Sequence, residues 1–125
     1  MAAGDRSDWV TARGGQRWLV RKGDVLASVE VAASLFARSK GLLGRATFEG
    51  AMLLPRTRAV HTLGIRIAID VAFLDADFAV LDTCTMQPWR IGLPRRHGRY
   101  VLEAEAGAFE RWQLRAGDIL ELRGD

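Results

Sequence analysis

His61-Thr62-Leu63-Gly64-Ile65-Arg66-Ile67-Ala68-Ile69-Asp70-Val71-Ala72-Phe73-Leu74-Asp75 is the stretch on which the reading of this chain turns. From Ile65 to Phe73 every odd position is large and apolar, the period of two expected of a strand with one buried face. Arg66, Ala68, Asp70 and Ala72 line the other face, where two charges stand among small side chains. That face is a candidate site. Unbroken alternation puts His61 on the buried side with Ile65, unless a bulge at Gly64 reverses the parity of the residues before it. Arg66 and Asp70 stand roughly 13 Å apart along such a strand, too far for an ion pair. Asp70 is therefore expected to find partners on neighbouring strands or at backbone amides.

Outward from this motif, Asp75-Ala76-Asp77 reads as a turn and residues 78–86 as the returning strand of a hairpin. Upstream, residues 17–21, the turn Lys22-Gly23-Asp24 and residues 25–31 form a second hairpin pattern. Ser34 caps a short helix expected over 35–40, with Gly41 or Gly44 ending it. Residues 51–55 make an apolar strand closed by Pro55, and residues 100–104 a further strand. A short helix is expected within 106–112, a turn over 115–118 and a closing strand over 119–122. The fold class is mainly β: a compact sandwich or barrel-like domain of about seven short strands with one or two short helices.

Length and composition bound this picture. With 125 residues, 49% apolar and 26% charged, the chain reads as one domain over 17–125 behind a flexible leader over 1–16. The lone Cys84 rules out an intramolecular disulfide and reads as a small buried hydrophobe. The net charge of +3 comes from 16 arginines and two lysines against 15 acids. Arginine use so lopsided reads as compositional bias, so nucleic acid is not the expected partner. Residues 1–8 have no apolar core of an export signal and no run approaches the length of a membrane span, so a cytoplasmic location is expected.

Three segments carry a family resemblance: Gly41-Leu42-Leu43-Gly44-Arg45, the motif from His61 to Asp75, and Tyr100-Val101-Leu102-Glu103-Ala104-Glu105-Ala106-Gly107. Together they resemble a small bacterial and archaeal family, domain of unknown function 192 (DUF192). The chain departs from the family pattern at Ile65, where methionine is usual, and at Ala68, where proline is usual. The likeness implies a mostly β, sandwich-like domain and no established reaction.

The candidate ligand-binding residues are His61, Thr62, Arg66, Asp70, Trp89 and Arg90. Asp70 reads either as a general base or ligand anchor, or as a structural carboxylate accepting backbone hydrogen bonds. His61 at a strand entry can bind a ligand or carry a proton. Trp89 and Arg90 open a loop over 88–99 with four arginines and a histidine, suited to anions. His61, His97 and Cys84 lack the spacing of zinc ligands, and neither a metal nor a cofactor is expected. Catalytic residues are not assigned, because no nucleophile elbow or phosphate-cradling loop occurs. Three functions follow: a non-catalytic module binding a small molecule or peptide on the Arg66/Asp70 face, a hydrolase using Asp70 and His61, or a scaffold acting through a surface patch. The oligomeric state is left open.

Overall fold

Lys22 (φ 50°) and Gly23 (φ 84°) both adopt left-handed backbone, the pair of torsions a two-residue type I′ hairpin requires. They join β1 (Arg17–Arg21) to β2 (Asp24–Val31) as the sequence predicts. The computed structural model describes residues 17–31 and 50–124; the expected leader and the helix over 35–40 lie outside them. Beyond them come β3 (Ala51–Pro55), β4 (Ile69–Leu74), β5 (Val80–Met86), β6 (Tyr100–Glu105), a short helix α1 (Ala108–Trp112) and β7 (Glu121–Gly124). The strands form one seven-stranded sheet in the order β5-β4-β6-β3-β2-β1-β7. Among the described strands only β2 and β3 pair in parallel.

One face of this sheet gathers apolar side chains from all seven strands, among them Leu19, Leu53, Leu74, Val80, Leu102 and Leu122, and α1 adds Ala108 and Phe109. A single face can collect every strand in this way when the sheet curls around it. The curl brings the two edges together at one end. There Val80 donates its N–H to the Asp118 carbonyl (2.8 Å) and Leu120 donates to Phe78 (3.0 Å), around a bridge between Ala79 and Ile119. The barrel does not close, and a seam is left between β5 and β7. Phe78 anchors its zipped end from a left-handed backbone (φ 62°), its buried ring edge-on to Tyr100 at 4.6 Å. Burial of that ring offsets the backbone cost.

The outer face of the sheet is also covered. Residues 57–62 run antiparallel to residues 89–99, joined by bonds from Thr57 N–H to Arg99 O (3.0 Å), Arg95 N–H to Arg58 O (2.9 Å) and Gly92 N–H to Val60 O (2.8 Å). This irregular layer supplies Val60 and Ile65 to a second core with Leu54, Val71, Phe73 and Val101. No helix among the described residues is long and apolar enough to cross a membrane.

The motif strand is shorter than its alternation predicts. Pairing starts at Ile69, and the chain before it turns at Gly64 (φ 82°), where Ile65 N–H donates to Thr62 O (3.1 Å). The period of two persists upstream because Ile65 and Ile67 pack into the same cluster as Ile69 and Val71. One-sided burial produced the pattern there without a ladder of strand hydrogen bonds. The expectation of a polar second face is corrected as well. All six residues of β4 are buried, and Arg66 lies exposed upstream of the strand, so it shares no β4 face with Asp70.

Candidate functional site

Asp70 is the second residue of β4 and only 4% exposed. Its Oδ1 accepts a hydrogen bond from Thr85 Oγ (2.7 Å), the residue opposite it on β5, and its Oδ2 accepts from the N–H groups of Gly107 and Phe109 (3.0 Å each). The reason lies in the helix start. Gly107 sits at the N-cap of α1 with φ 96° and has no side chain with which to cap it. Asp70 supplies that acceptor from across the fold, fixing α1 to the sheet.

Around Asp70, on the seam side of β5 and facing α1, lies an open cleft of about 630 Å³. Thr83 and Thr85 line it from β5, Glu110 from α1, and Gln113 and Arg115 from the turn after the helix. β5 is the terminal strand of the sheet, so the cleft runs beside an open strand edge. The Thr83 N–H donates to Asp82 Oδ1 (2.9 Å), a local side-chain acceptor. Cys84 also borders the cleft, half-buried rather than enclosed as the sequence suggests. Burial pushes its thiol above the ordinary value of 9.0; Arg95 pulls it down, and Asp82 and Asp70 add to the rise. A thiol held protonated in this way is the reverse of an activated nucleophile.

The other predicted site residues gather on the outer layer. Thr62 is wholly buried: its Oγ donates to Gln87 O (2.6 Å) and accepts from Arg90 N–H (2.8 Å), while its carbonyl accepts from Trp89 N–H (2.9 Å). His61 is exposed beside it, pairs with Ile91 in a single bridge and accepts the Leu63 N–H on Nδ1 (3.3 Å). The fold thus brings together His61, Thr62, Trp89 and Arg90 and places Asp70 apart from them, in the lining of the cleft, which does not include His61. A shallower groove of about 420 Å³ on the outer layer is lined by Met86, Arg90, Ile91 and Leu93, among others. At its side Arg95 stacks 4.2 Å over Phe73 and donates Nε and Nη2 to Asp82 Oδ2 (3.1 and 3.0 Å). Among the described residues no group of three or more His, Cys, Asp or Glu side chains is arranged to hold a metal ion.

Thr83, Thr85, Glu110, Gln113 and Arg115 were not singled out from the sequence. The signal for the threonines was present: they alternate with Cys84 and Met86, a polar side opposed to an apolar one. Glu103, wholly buried opposite Val71 in the ladder, is a second charged core residue that the pattern does not reveal.

The fold and these sites can be set beside known proteins. The DUF192 family model, described as "Uncharacterized ACR", matches residues 18–122. A UPF0127 protein of Pyrococcus horikoshii is 35% identical over 98 residues, which span 74% of this chain and 85% of that one. A Sinorhizobium meliloti protein of known structure, described as a candidate transcription regulator, is similar with a TM-score of 0.71 and 26% identity over 89% of this chain and 95% of its own. A Novosphingobium aromaticivorans protein of unknown function shares the fold with a TM-score of 0.69 and 23% identity, over 85% of this chain and 83% of its own.

Proposed function

The chain belongs to the DUF192 family, whose function is uncharacterised, and from that premise and the geometry of the seam we propose that it is a non-catalytic binding module taking an extended peptide along the open edge of β5. The cleft beside that edge carries the reading. An added strand gains affinity from main-chain hydrogen bonds to an exposed sheet edge and specificity from alternate side chains entering a flanking pocket. The seam offers both. The edge of β5 supplies the backbone groups, while Glu110, Gln113 and Arg115 on the opposite wall supply polar contacts. Chemistry has less support here, because both Asp70 oxygens are committed to hydrogen bonds and the nearby thiol is held protonated. A cytoplasmic setting belongs to the same proposal and suits a chain with one unpaired cysteine.

The test uses a display library of random peptides panned against the full chain. Selected peptides should slow hydrogen exchange at Thr83 and Thr85 and should no longer bind Thr83→Pro. Proline is tolerated on an edge strand, so that variant should keep its fold. Peptides that bind Thr83→Pro as well as wild type, or that protect other strands instead, would sink the reading.

A further inference from the structure

The outer layer is electrically distinct from the rest of the molecule. Residues 56–68 and 87–99 contain seven arginines, both histidines and no acidic residue, whereas the other 99 residues hold eleven basic against fifteen acidic side chains. Sequence order does not put these two segments together. Their mutual hydrogen bonds do, laying both over one face of the sheet. Arg56, Arg58, Arg90, Arg96 and Arg99 are exposed there, and Arg95 is paired with Asp82 at 3.0 Å.

Among these charges stand the most exposed large apolar side chains of the described residues: Trp89, Ile91 and Leu93 at 65%, 76% and 77%, with Leu63 at 40%. Single apolar side chains on a surface are ordinary, but a cluster calls for a partner. Trp89 adds a second observation. It holds a left-handed backbone (φ 62°), costly for a bulky residue, and yet leaves its indole in solvent. Hydrogen bonds that Trp89, Arg90 and Gly92 N–H donate to Thr62 and Val60 pin the loop beneath, so the apolar side chains are held in place.

We propose that this layer docks the protein on an anionic lipid bilayer, with Trp89, Ile91 and Leu93 entering the headgroup boundary and the surrounding arginines engaging lipid phosphate. Tryptophan favours that boundary because its ring is apolar and its N–H polar. Ile91 and Leu93 gain a medium in which their surface leaves water. The arginines add an attraction that acts within a Debye length and weakens with salt. Nucleic acid would satisfy the arginines and Trp89 but offers no apolar medium for two exposed aliphatic side chains. The cleft and the outer-layer groove share Cys84 and Thr85 in their linings, but Ile91, Leu93, Arg96 and Arg99 do not line the cleft, so variants at those positions test this proposal apart from the peptide reading.

The experiment sediments the full chain with phosphatidylcholine vesicles made with and without phosphatidylglycerol. Binding is expected only to the anionic vesicles and should fall as salt rises. Ile91→Ser/Leu93→Ser should lower the partition coefficient about tenfold or more, and Arg96→Gln/Arg99→Gln about thirtyfold. Thermal melts of both variants should match wild type, because these side chains are exposed. Failure to sediment with anionic vesicles at low ionic strength overturns the proposal. So does sedimentation that ignores the Ile91/Leu93 change, which would indicate plain electrostatic adsorption. Tighter binding to a single-stranded oligonucleotide, equally blind to that change, would make the layer a nucleic-acid surface instead.

Discussion

Asp70 stands out in the sequence as a charge within an apolar strand, and in the structure its carboxylate caps α1 and lines the cleft beside β5. A carboxylate in an apolar strand is retained only when its oxygens are satisfied, and here a hydroxyl and two amides satisfy them. The variants should separate by acceptor count. Asn can offer its oxygen to the amides and its NH2 to Thr85, whose hydroxyl can turn to accept, so Asp70→Asn should cost about 1 kcal/mol in urea unfolding. Asp70→Ala leaves all three donors without that acceptor and should cost about 3 kcal/mol; equal stability of the two would refute the capping role. Cys84 gives a prediction in pH. Its folded thiol is raised above 9.0 by burial, so its contribution to stability is fully present below the unfolded value and is lost as pH rises through the folded one. Alkylation by iodoacetamide should accordingly reach half its maximal rate at a higher pH in the native chain than in the urea-unfolded chain.

At the scale of elements, hairpins were legible because their signals are local. Lys22-Gly23 turns where left-handed residues are expected, and the strands on either side follow. The motif strand was overextended because periodicity reports which side of a segment is buried, and Ile65 and Ile67 are buried by packing outside the ladder. The rest of the outer layer, residues 57–62 and 87–99, had no such periodic signature. Its order depends on Thr62, whose hydroxyl and backbone hold residues 87–90. Replacing that hydroxyl with a methyl group leaves the part-buried Gln87 carbonyl and Arg90 amide without that partner, so Thr62→Val should cost about 1–2 kcal/mol. Thr62→Ser should keep most of the stability. A Thr62→Val variant as stable as wild type would show that the layer is held some other way.

At the scale of the molecule, the seam should be the first part to open. Central strands β4 and β6 are hydrogen-bonded on both sides, whereas the edges meet only around residues 78–80 and 117–120. Native-state hydrogen exchange should therefore find Val80 and Leu120 less protected than Val71 and Leu102, and a reversed order would contradict the half-closed barrel. The sequence alone determined the mainly β class, the positions of most turns, the lone thiol and the family, since these follow from local torsional preference, side-chain alternation and residue identity. It also marked Asp70 as a residue whose buried charge needed partners. Only the tertiary structure decided who those partners are, that Arg66 and Asp70 do not share a face, and that seven arginines with three exposed apolar side chains form one layer. Those outcomes depend on contacts between segments distant in sequence, made when the sheet curls and both its faces are buried, and no local pattern encodes the geometry of that closure.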